Sequence, residues 1–166
     1  MDFENMDNMK REGFIGFKKI STLQKNERED TPTFQGVYFV LRDKKSPPDF
    51  LKKSIGGYFK RKDPTVTIAE LKNNWVEGTM VIYIGKAGGS DSNATLRKRL
   101  KQYMQFGQGK PIGHWGGRLI WQVEGSSDFL VCWKVTKDYE PKEVEGKLIQ
   151  EFKSKYGKLP FANLKE

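Results

Sequence analysis

Val81-Ile82-Tyr83-Ile84-Gly85-Lys86-Ala87 is a short apolar, β-branched run stopped by glycine, the pattern of a buried strand. After the Gly/Ser-rich loop at 88–93 the chain resumes as Leu96-Arg97-Lys98-Arg99-Leu100-Lys101-Gln102-Tyr103. Leu96, Leu100 and Met104 fall on one helical stripe, and the spacing predicts a helix over 95–106. Arg99 and Tyr103 are four apart, so they share a face at the edge of that stripe. Tyr83 and Lys86 at the strand end then face a guanidinium and a second phenol.

Upstream, residues 34–41 are aromatic and β-branched almost throughout, which predicts a strand covered on both faces. Between the two strands, residues 43–78 read as an insertion broken at Pro47-Pro48 and Gly56-Gly57. Thr67-Ile68-Ala69-Glu70 has the form of a capping box opening a short helix to Trp75. Downstream, 119–123 and 129–135 read as two strands of a hairpin. Pro141 opens a helix to about Tyr156, which Gly157 ends. Residues 1–30 form an N-terminal arm. Its first dozen residues are expected to fray, 13–17 to pack on the domain in extended form, and 24–30 are polar. No linker divides the chain, so 1–166 reads as a single domain.

Lys and Arg number 30 against 21 Asp and Glu, a net charge of +9 that favours a polyanionic partner, nucleic acid ahead of membrane. No apolar run approaches the roughly 18 residues of a membrane span. The acidic start Met1-Asp2-Phe3-Glu4-Asn5 lacks the apolar core of a signal peptide. Cys132 is the only cysteine and lies in an apolar run, so a reducing, cytoplasmic setting is expected. One histidine and one cysteine cannot build a tetrahedral zinc site, and a buried Cys132 is no nucleophile. Gly85-Lys86-Ala87-Gly88-Gly89 lacks the spacing of a phosphate-binding loop of the NTPase type.

Glu145 is the most informative carboxylate. Val144, Leu148 and Phe152 form the apolar stripe of the last helix, and Glu145 lies beside that stripe, three and four residues before Leu148 and Ile149. A carboxylate so placed reaches either water or a partner: a cation, a metal or a hydrogen-bond network. His114 and Arg118 sit in a loop dense with glycine and are candidates for phosphate contact. Lys60, Arg61 and Lys62, with Phe50, Tyr58 and Phe59 interleaved, suit either a nucleic-acid surface or a solvated loop whose aromatics cover the core.

Gly36-Val37-Tyr38 followed by Tyr83-Ile84-Gly85 resembles the paired signature of the GIY-YIG nucleases. The likeness continues in order through Lys86, Arg99, Tyr103, Glu145 and Asn163, and spans about residues 35–164. It implies an α+β fold: a small three-stranded antiparallel sheet flanked by helices. The activity implied is hydrolysis of DNA phosphodiesters with one divalent metal, Mg²⁺ or Mn²⁺. Carried onto this chain, Tyr38 would be the general base or would orient the attacking water, its pKa lowered by Lys86, Arg99 and the metal. Tyr83 would line the site, Arg99 would bind the scissile phosphate, and Glu145 would hold the metal. Lys86 and Tyr103 would assist at phosphate or water, and Asn163 would brace the site.

Tyr38 and Tyr83 are 45 positions apart, far more than the family's usual spacing, so 43–78 is an elaboration between the first two strands. Such additions resemble restriction endonucleases or stand-alone nucleases more than repair or homing enzymes. A non-catalytic nucleic-acid-binding module on the same fold and an RNA-directed nuclease are the alternatives. DNA is the expected partner, with no membrane, and a site that cuts both strands would suit a homodimer.

Overall fold

The computed structural model describes residues 1–25 and 29–165; residues 26–28, in the polar end of the arm, lie outside the described residues. The elements run α1 (Met6–Arg11), β1 (Ile15–Lys19), α2 (Ile20–Gln24), β2 (Gly36–Leu41), α3 (Ile68–Asn74), β3 (Val81–Ala87), α4 (Leu96–Gly107), β4 (Leu130–Val135) and α5 (Pro141–Tyr156). Among the described residues no helix is long and apolar enough to cross a membrane.

The fold is α+β with a four-stranded antiparallel sheet in the order β1-β4-β2-β3. β2 is central and every residue of it is buried. Its alternation sorts the core into two layers: Tyr38 and Val40 join one cluster, while Val37, Phe39 and Leu41 join the other. The first layer takes Leu96, Leu100 and Met104 from α4, and the second takes Leu148, Ile149 and Phe152 from α5. The two helices therefore cover opposite faces of the sheet.

β3 is the edge strand and carries an irregularity. Val40 pairs with Tyr83, but Leu41 pairs with Val81, leaving Ile82 as an extra residue. Ile82 and Tyr83 consequently join the same core layer, between Val81 and Ile84 of the other. The tail closes the open edge. Ala162 N–H donates to Ile82 O at 2.9 Å, and the Asn163 amide pairs with both backbone groups of Ile84, at 2.9 and 2.8 Å. A side chain thus takes the place of a neighbouring strand.

Three expectations need correction. The sheet has four strands, because part of the arm pairs with β4 as β1. The first dozen residues do not fray: Asn5 caps α1, and Phe3 and Met9 are fully buried against the second layer. Residues 119–123 are not a hairpin strand; Arg118–Gln122 form a 3₁₀ helix, with Leu119, Ile120 and Trp121 all in the core. An apolar run that short carries no period that separates strand from buried helix.

The insertion is fastened to that 3₁₀ helix. The Gln122 side chain, itself fully buried, donates to Leu51 O and Val66 O and accepts from Val66 N–H, at 2.8–3.0 Å. Leu51 N–H in turn donates to Gln122 O and Ile55 N–H to Trp121 O. Thr67 caps α3 through Glu70 N–H, as its sequence requires. Gln122→Ala leaves three partly buried backbone groups without their partner. It is expected to cost about 2–4 kcal/mol, lowering Tm in a thermal melt by roughly 5–15 °C for a domain of this size. A shift under 2 °C would show that the anchor is dispensable.

Candidate active site

The site lies at the tail-capped edge of β3, where helices from the two faces of the sheet come together. Lys86 and Arg99 line a cavity of about 310 Å³ with Tyr83 and Glu145. Arg99 comes from α4 on one face and Glu145 from α5 on the other, so the fold joins residues 46 positions apart. Both are partly buried, as is Lys86.

Behind the cavity stands a wall of phenols. Tyr38, Tyr83 and Tyr103 pack with ring centroids 5.6–6.2 Å apart. Tyr38 and Tyr103 are fully buried and Tyr83 is almost so, yet only Tyr83 of the three reaches the cavity. Gly85 makes the packing possible: a Cβ there would stand 2.5 Å from Tyr38 Cζ. The Tyr103 hydroxyl donates to Gly117 O at 2.7 Å. Gly117 has φ 73°, and a Cβ on it would meet both Tyr103 and Tyr83.

Burial pushes the Tyr38 phenol up to about 12, although the Arg99 guanidinium pulls the other way. Tyr83 and Tyr103 are raised well above the ordinary phenol value, again by burial. All three are neutral donors at pH 7. Among the protein's own groups burial outweighs the pull of Arg99 on Tyr38; the expected lowering also counted a bound metal. Among the described residues the Tyr38 hydroxyl has no hydrogen-bond partner of good geometry, although Tyr83 and Arg99 lie close enough to bear on its titration.

Glu145 is raised by burial, while Lys86, Arg99 and Lys142 pull it down through space. Among the described residues it makes no ion pair or hydrogen bond. Lys86 Nζ sits 3.4 Å from Gly88 O and 3.9 Å from Asp91 Oδ1. The Asn163 side chain pairs with the backbone of Ile84 and so braces β3.

Other expected site residues fall elsewhere. His114 does not present itself to a nucleic acid: it is fully buried and stacks on Tyr103 at 4.2 Å and 14°. Among the described residues neither ring nitrogen has a hydrogen-bond partner, and burial, aided by the charge of Arg99, holds its pKa well below the ordinary value. Tyr103 is fully buried and does not line the cavity either, and its hydroxyl is engaged by the Gly117 carbonyl. Lys60, Arg61 and Lys62 are exposed on a tight turn closed between Phe59 and Lys62, and they do not line the cavity. Lys60 and Arg61 both have positive φ, unusual for residues with side chains. Arg118 lies beside the site, in a neighbouring cavity with Trp115. Trp115 was missed; its signal was that it is the one large aromatic among the glycines of 107–118.

Among the described residues no group of three His, Cys, Asp or Glu side chains is placed to hold a metal. A lone carboxylate nevertheless suits magnesium, which keeps most of its waters and shares its ligands with a phosphate. Glu145, which makes no hydrogen bond or close ion pair among the described residues and lines a cavity, fits that role. No protein-family model, curated protein or solved structure matches the chain.

The raised pKa of Glu145 means that the folded protein binds this proton more tightly than the unfolded chain does. The charged carboxylate therefore costs stability above its folded pKa, and the cost fades as pH falls through that value. Without divalent ions, Glu145→Gln is expected to raise Tm by up to a few degrees at pH 7.5, with the gain gone near pH 4. An unchanged or lower Tm at pH 7.5 would contradict the desolvation argument.

Proposed function

We propose that this chain is a GIY-YIG endonuclease that hydrolyses DNA phosphodiesters with a divalent cation, Mg²⁺ or Mn²⁺. The observation that carries the reading is the cavity shared by Arg99, Lys86, Tyr83 and Glu145, contributed by α4, β3 and α5. These residue types suit phosphoryl transfer, in which charge on the phosphate oxygens must be met by fixed cations. The net charge of +9 supports a polyanionic substrate.

In this reading Arg99 takes the scissile phosphate through paired N–H donors and stabilises the charge that develops there. Lys86 adds a second cation at the strand end. Glu145 would hold the metal, which when bound polarises the phosphate and acidifies its own water. Tyr83, a neutral phenol at the cavity wall, donates a hydrogen bond that orients the attacking water. Tyr38 is a positioning residue rather than the base: it is fully buried behind Tyr83 and does not reach the cavity. The basic turn at 60–62 and Arg118 would meet DNA outside the reacting centre.

Conversion of supercoiled plasmid to nicked or linear DNA with Mg²⁺ or Mn²⁺ tests the proposal. The wild-type chain is expected to cut. Arg99→Ala and Glu145→Ala are each expected to lose at least about a hundredfold, the scale of removing one transition-state contact. Cutting that survives both substitutions overturns the assignment. Salt-dependent binding with no cutting under any divalent ion would favour a binding module instead.

A further inference from the structure

A second cavity, about 350 Å³, opens on the other side of Tyr83 and Glu145, which line both. Its size falls within the range of small-ligand sites, roughly 300–1,000 Å³. Its character differs from the first. Ile149, Ala162 and Leu164 supply apolar wall, Gly116 and Gly117 leave backbone bare, and Trp115 and Arg118 stand on one side. Apolar walls do not suit a phosphate; they suit the face of a base and the carbons of a sugar.

The Arg118 guanidinium carbon lies 4.6 Å from the centre of the Trp115 ring, and its Nη1 donates to Trp115 O at 3.3 Å. Trp115 in turn packs edge-on against Phe106 of α4, with centroids 6.4 Å apart. The cation is thus layered on an indole that is itself held by the core. Of its N–H donors only the one to Trp115 is engaged in a hydrogen bond among the described residues, and partial burial lowers its pKa. Guanidinium and indole planes are the surfaces on which unstacked bases rest in single-strand recognition.

We propose that this cavity seats the base of the nucleotide flanking the cut phosphate, stacked on the Arg118–Trp115 pair, and that the preferred substrate is therefore DNA with an unpaired nucleotide at the cut. The inference rests on the nuclease reading above. A strand that places a phosphate over Arg99 and Lys86 crosses Tyr83 and Glu145 and brings its next base to the second cavity. A base within an intact duplex cannot enter a pocket without leaving its stack, and the cost of doing so is least where the base is already unpaired.

Two oligonucleotide substrates of the same sequence test this with the full chain and Mg²⁺, one fully paired and one with a central unpaired loop carrying 2-aminopurine. Wild type is expected to cut the looped DNA at least about tenfold faster, the scale of one stacked base. Trp115→Ala should bring the ratio of rates to within about threefold, and Trp115→Phe, which restores a ring, should recover it. In Ca²⁺, binding should quench the 2-aminopurine in wild type and not in Trp115→Ala, with Tm confirming that the variant is folded. Equal cutting of both substrates, or a preference and quenching that survive Trp115→Ala, overturns the seat. Quenching without any cutting would sink the nuclease reading and keep the seat; cutting without preference or quenching would do the reverse.

Discussion

A carboxylate withdrawn from water beside an apolar stripe must be faced by positive charge, and Glu145 sets that requirement for the whole site. Leu148, Ile149 and Phe152 bury α5 against the sheet, and that packing fixes where Glu145 emerges. It emerges at the edge of β3, where Lys86 leaves the strand and Arg99 arrives from α4. The residual imbalance, a carboxylate still raised by burial, is the kind of local cost that a binding site carries until its ligand arrives. The tail contributes by pairing Asn163 with Ile84, which satisfies the open edge of β3 beside these charges.

The phenols give the site its second property. Three neutral tyrosines and the uncharged His114 ring form one packed, water-poor wall behind the cations. Electrostatic interactions across such a wall are less screened than on open surface. The wall also divides labour: Tyr83 faces the cavity, Tyr38 backs it, and Tyr103 ties α4 to the glycine loop through Gly117. In the proposed reading this loop matters twice, because Trp115 and Arg118 stand on the same short segment.

Much of this was legible in the residue order. The apolar run read over 34–41, which forms β2 at 36–41, the stripe of α4, the Thr67 cap and the Gly157 stop each have one dominant local cause, and each formed as expected. β1 was not legible, since Ile15 and Gly16 are exposed, Phe17 has φ 52°, and a register shift falls between Gly16 and Lys18, which erases alternation. The 3₁₀ helix at 118–122 was hidden because its residues are buried by the insertion, a contact between segments remote in sequence. His114 and Tyr103 were misplaced for a related reason. Residue type suggests a polar contact, but exposure is decided by what the tertiary fold lays over each side chain. The beside-stripe position of Glu145, by contrast, is a local helical property and could be read directly.

The central claim is that Glu145 and Arg99 together hold a metal-bound phosphate. A crystal of the chain with Mn²⁺ and an uncleavable phosphorothioate oligonucleotide tests it most directly, through the anomalous signal of the metal. The expected result is a manganese peak within coordination distance of a Glu145 carboxylate oxygen, about 2.2 Å, with a phosphate bridging it to the Arg99 guanidinium. A peak elsewhere on the protein, or DNA bound with this cavity empty of both phosphate and metal, would contradict it.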